Sequence, residues 1–197
     1  MTTDIKKYDF KKGLPQEFEI VDLAELYKKH KSTLNTTHRA GFYHIIWLKI
    51  GSPTTHLVDF NSIKIESNSL LFLNKNIVHR FDNRTEFGGK AILFTDSFFC
   101  KTDSDTKFLR NCILFNDLFS VSQIKLQKSS TLFGDLFQQL ETELTNSKDN
   151  YQWDILQNHL HNLLLHSDRE SRKQNFSEIK KDADLDGTGR MGADSYY

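Results

Sequence analysis

The stretch from Phe18 to about Phe99 constrains the fold most, because it breaks into the short runs FEIVDL, GFYHIIWLKI, THLVDFNSIKI, SLLFL, VHRF and AILFT. Each run is rich in β-branched and aromatic side chains, and Gly, Asn, Asp or Ser separates it from the next. That is the punctuation of many short strands, and it predicts a β-sandwich or barrel. One run is apolar on both faces. In GFYHIIWLKI, strand alternation sends Phe42, Ile46, Leu48 and Ile50 to one side and Tyr43, Ile45 and Trp47 to the other. One face is then expected to line an interior while the other packs beneath helices or a second sheet. His44 shares the Phe42 side and becomes a candidate pocket residue. Of the 16 phenylalanines, Phe42, Phe60, Phe72, Phe81, Phe87 and Phe94, with Trp47, are expected mostly in the core.

After Asp103 the period changes. Leu132, Phe133, Leu136, Phe137, Leu140 and Leu144 form a helical stripe with Ser129 or Ser130 as N-cap. A second helix is predicted from Tyr151 or Gln152. Its apolar positions Trp153, Leu156, Leu160 and Leu163 alternate spacings of three and four, and Ile155, Leu164 and Leu165 widen the face. Either one side packs on the β part and the other on a partner helix, or both are internal. Residues 168–186 mix charges of both signs with few apolar groups, which predicts a helix end running into a linker, and the glycine-containing end 187–197 is predicted disordered. At the other end, Met1 to Leu14 reads as a polar, lysine-rich flexible arm closed by Gly13-Leu14-Pro15.

Charge narrows the function. Lys plus Arg number 26 and Asp plus Glu number 26, so the chain lacks the positive field that nucleic-acid binding needs. No apolar run approaches the ~20 residues of a membrane helix, and the N-terminus lacks the apolar centre of a signal peptide, so a cytoplasmic protein without membrane contact is expected. Cys100 and Cys112 have no C-x-x-C spacing and read as reduced structural thiols. No P-loop, dinucleotide fingerprint or nucleophile elbow occurs. No catalytic residue, cofactor or enzymatic activity is therefore assigned.

Histidine carries the remaining signal. The spacing His38-x5-His44-x6-Gly51, followed by His79-x3-Asn83, resembles the two motifs of the cupin fold. In metal-binding cupins the first motif supplies two histidines and a carboxylate, and the second supplies another histidine. Here His38 and His79 match, Ala40 replaces one histidine, and His44 stands where the carboxylate would be. Three imidazoles could hold zinc with an open position, which gives an alternative reading as a stand-alone metal-dependent isomerase or oxygenase. The lost and exchanged ligands argue against it, and neutral histidines that hydrogen-bond a ligand are expected instead of a metal. His159, His161 and His166 read as solvated or interface groups, and His30 and His56 are given no role.

The strings HRAGFYHIIWLKIG, HLVDFNSIKIESNSLLFLNKNIVHRF and GGKAILFTDSFF resemble the N-terminal sensor domain of AraC-family transcription regulators, a likeness that extends over residues 15 to 180. The resemblance implies a mainly β fold with C-terminal helices: a cupin-like double-stranded β-helix, or jelly-roll barrel, followed by two α-helices. It implies an arm over 1–14, an effector-binding barrel over 15–125, a helical dimerisation region over 126–173, and a linker and tail over 174–197 from which the helix-turn-helix DNA-binding domain is missing. Effector contacts are expected from His38, Phe42, His44, Trp47 and His79, and homodimer contacts from Trp153, Leu156, Leu160 and Leu163. DNA would be reached only through the missing domain.

Overall fold

The computed structural model describes residues 5–51, 54–82, 87–116, 121–127, 129–146 and 149–188. Two five-stranded sheets form an open β-sandwich. The first has the order β1 (Lys6–Tyr8), β3 (His38–Ala40), β8 (Val78–Phe81), β5 (Thr54–Val58), β6 (Asn61–Ile65). The second has the order β10 (Gln123–Lys125), β7 (Ser69–Leu73), β4 (Tyr43–Gly51), β9 (Phe87–Phe94), β2 (Phe18–Asp22). Every pairing is antiparallel except that of β1 with β3.

Alternation along the second sheet produces two apolar layers. Between the sheets, Ile46, Leu48, Leu71, Leu73 and Ala91 meet Val58, Ile65 and Phe81 of the first sheet. On its outer face, Tyr43, Ile45, Trp47, Leu70, Phe72 and Phe94 pack against helices. These helices are α2 (Asp96–Phe99), α3 (Asp103–Asn111), α4 (Ile113–Asn116), α5 (Leu132–Thr145) and α6 (Gln152–Thr188). The two-faced reading of β4 therefore holds, and β7 is buried along its whole length.

Several expectations need correction. The arm is not loose where it is described: β1 pairs with β3, and the Gly41 amide donates to the Tyr8 carbonyl at 2.8 Å. Residues 1–4 lie outside the described residues. A further helix, α1 (Leu23–Leu34), follows β2, with the Asp22 carboxylate accepting from the Glu25 amide at 3.0 Å. Asp22 followed three residues later by Glu25 was its available sequence sign. α6 does not end near residue 173 but runs to Thr188, past the expected start of the linker. Asp168–Arg172 and Glu170–Lys173 pair at helical spacing, so charges that resemble a linker stabilise a helix. Residues 189–197 lie outside the described residues.

Phe60 is the exception among the expected core aromatics. It is 72% exposed at the tip of the β5–β6 hairpin, where Asp59 (φ 44°) and Phe60 (φ 68°) both adopt the left-handed conformation that a tight two-residue reversal requires. The Phe87 side chain lies outside the described set. Of the four expected dimer contacts, Leu156, Leu160 and Leu163 are buried inside this chain and cannot face a partner, while Trp153 is partly buried against the same cluster.

Candidate functional site

Four histidines from four strands converge between the sheets. In the β3–β8 ladder His38 lies opposite His79, and in the β5–β8 ladder His56 lies opposite Phe81 while Val58 lies opposite His79. Alternation then turns His44 inward with Ile46 and Leu48. The His79 ring is the centre of the group: its centroid is 4.5 Å from His38, 5.0 Å from His44 and 5.2 Å from His56. His56 also meets Phe81 edge-on at 4.4 Å.

Beside this cluster lies a cavity of about 370 Å³. His38, Phe42, His44 and His79 line it, together with apolar side chains such as Leu23 of α1 and Leu93 of β9. The N-terminal segment forms part of its wall. Tyr8 stands edge-on to His38 at 5.5 Å and Phe10 edge-on to Phe42 at 5.3 Å.

Trp47 is not part of this cavity. Strand alternation puts it on the outer face of β4, 4.8 Å from Phe137 of α5, where its indole N–H donates to Asn68 Oδ1 at 3.4 Å. His56, in turn, was missed. Its only sequence sign was alternation in THLV, which places it on one face but does not say that this face turns inward beside His79.

Burial sets the chemistry of the cluster. It pushes the His44 and His56 imidazoles down to about 3, with positive charge on neighbouring histidines a smaller contribution. Burial likewise lowers His79 well below the ordinary histidine range, and lowers His38 against the opposing effect of the Thr36 carbonyl. All four rings are therefore neutral at pH 7, each with one N–H donor and one lone pair.

Three ring nitrogens are committed internally. His38 Nδ1 lies 2.8 Å from the Thr36 carbonyl, and His56 Nε2 lies 3.1 Å from His79 Nδ1. Buried His44 Nδ1, His56 Nδ1 and His79 Nε2 have no hydrogen-bond partner. Among the described residues, no group of three His, Cys, Asp or Glu side chains could hold a metal. The site is instead an apolar recess with unmet hydrogen-bonding capacity at one wall, which suits a small organic ligand.

Cys100 and Cys112 are both free thiols. Cys112 is buried, and burial raises it to about 11, so it behaves as a packed apolar group. Among the described residues no helix is long and apolar enough to cross a membrane. No protein-family model and no curated protein matches the chain.

Proposed function

We propose that this chain is the effector-sensing domain of an AraC-type transcription regulator, with a cupin-like jelly-roll as its β part and a homodimer as its working form. The observation that carries the reading is the cavity between the sheets, walled by His38, Phe42, His44 and His79 and by the docked N-terminal segment. A ligand there touches the arm, α1 and both sheets at once. It can therefore shift the placement of the arm by its differential affinity for two arm positions. DNA contact would belong to a separate reader domain, in keeping with the zero net charge of this chain.

A thermal-shift screen of the purified chain against small metabolites tests the proposal. At least one compound should raise Tm, and Phe42→Trp, which fills the cavity, should abolish that rise while the variant still melts cooperatively. A panel without any stabilising compound, or a stabilisation that Phe42→Trp leaves intact, would overturn the sensor reading.

The enzyme alternative, a metal-dependent isomerase or oxygenase, needs a set of metal-holding side chains, and no group of three His, Cys, Asp or Glu that could hold a metal occurs among the described residues.

A further inference from the structure

The hydrogen-bond pattern of the histidine cluster restricts the kind of molecule the cavity can hold. This step rests on the sensor reading above. A backbone carbonyl only accepts, so the His38 Nδ1 that faces the Thr36 carbonyl must carry the proton. The neutral ring then presents a lone pair at Nε2. Between His56 Nε2 and His79 Nδ1 one nitrogen donates and the other accepts. If His79 donates, the leftover N–H is at His56 Nδ1, buried and away from the cavity lining. If His56 donates, the leftover N–H is at His79 Nε2, on a ring that lines the cavity. Only the second arrangement lets a ligand satisfy the stranded N–H, and an unmet buried donor is costly.

With a ligand bound, the wall therefore offers a donor at His79 and an acceptor at His38, beside the unpartnered His44 Nδ1. Their ring centres are 4.5 Å apart, a span that one oxygen at roughly 2.8 Å from a nitrogen of each ring can bridge. That oxygen must accept from one ring and donate to the other, which a hydroxyl does. An ether or ketone oxygen cannot donate. A carboxylate cannot donate either. The rest of the lining is largely apolar, with Leu23, Ile46, Ala91 and Leu93 prominent.

We propose that the cavity binds a largely apolar small molecule through a single hydroxyl group, an alcohol or a phenol, which accepts from His79 Nε2 and donates to His38 Nε2.

Calorimetry of the full chain at pH 7.5 with 4-ethylphenol, 4-ethylcyclohexanol, ethylbenzene and 4-ethylbenzoate tests this. At least one hydroxyl probe should bind ten-fold or more tighter than ethylbenzene and 4-ethylbenzoate. His79→Leu and His38→Leu should each reduce that preference to about one-fold while hydrocarbon binding remains, and His159→Leu on α6, outside the cavity lining, should leave it intact. Thermal melts identify a variant that fails to fold, and the other histidine variant then decides. Equal or tighter binding of ethylbenzene or the carboxylate, or a preference that survives in the folded histidine variants, overturns the hydroxyl assignment and leaves the sensor reading standing. Binding of none of the four overturns the assignment as well, and the metabolite screen judges the sensor reading separately.

Discussion

Gly89 occupies the point where the β4–β9 ladder slips, with Leu48 opposite Gly89 but Ile50 opposite Gly88. A Cβ at Gly89 would sit 1.9 Å from the Trp47 carbonyl oxygen, a backbone atom that cannot move aside. Gly89→Ala must therefore push the two central strands apart. It should cost about 2 kcal/mol or more, a loss at the upper end of ordinary point substitutions, read as a lower urea midpoint. A cost below about 0.5 kcal/mol would show that the bulge has no such tight approach. At the same scale, His38, Phe42, His44 and His79 were legible as pocket residues, because the strand and turn pattern around them is strong. Trp47 was named an effector contact only by resemblance, against the alternation that sets it opposite Phe42 and His44, whereas His56 was not placed because its position depends on which face of its strand meets the other sheet.

At the scale of one element, α6 shows how a helix can serve two surfaces. Leu156, Leu160, Leu163 and Leu164 are buried against the sandwich and α5. At 100° per residue, Ile155, Leu165 and Phe176 fall on the opposite side, within an arc of about 80°. Leu165 is 49% exposed and Phe176 71% exposed. The homodimer proposed above has this outer face available, not the inner one expected from the sequence. Leu165→Glu with Phe176→Glu should convert a dimer to monomer in sedimentation equilibrium while leaving Tm nearly unchanged. A dimer that persists in the double variant would place the interface elsewhere. Past its apolar part the helix is tied to the edge strand β10 by Gln174: its amide donates to the Lys125 carbonyl at 2.8 Å and its oxygen accepts from the Lys125 N–H at 3.1 Å.

For the whole molecule, four neutral imidazoles inside the sandwich make folding sensitive to acid. The unfolded chain takes up protons on these rings below about pH 6.5, while the folded chain resists until far lower pH, so stability is complete above pH 6.5 and falls as pH drops towards 3. His44 and His56 together should cost about 3 kcal/mol between pH 6.5 and pH 5. His79 acts in the same direction. Urea titrations over that range should show this decline, and His56→Phe should flatten it by about 1.4 kcal/mol per pH unit. A pH-independent stability from 7 to 5 would mean that the histidine cluster is hydrated or open in solution.

Local pattern was enough to locate most strands from Phe18 to Phe94, the two coverings of β4 and the start of α6, because alternation and helical period are properties of neighbouring residues. The same pattern could not separate a charged helix from a linker after Asp168. Nor could it show that the N-terminal segment adds a parallel strand beside His38, since that pairing joins residues about thirty positions apart. The meeting of His38, His44, His56 and His79, and the inward turn of Leu156, Leu160 and Leu163, were decided only by the packing of two sheets and a helical layer. Face and register depend on partners distant in the chain, and no local sequence period encodes them.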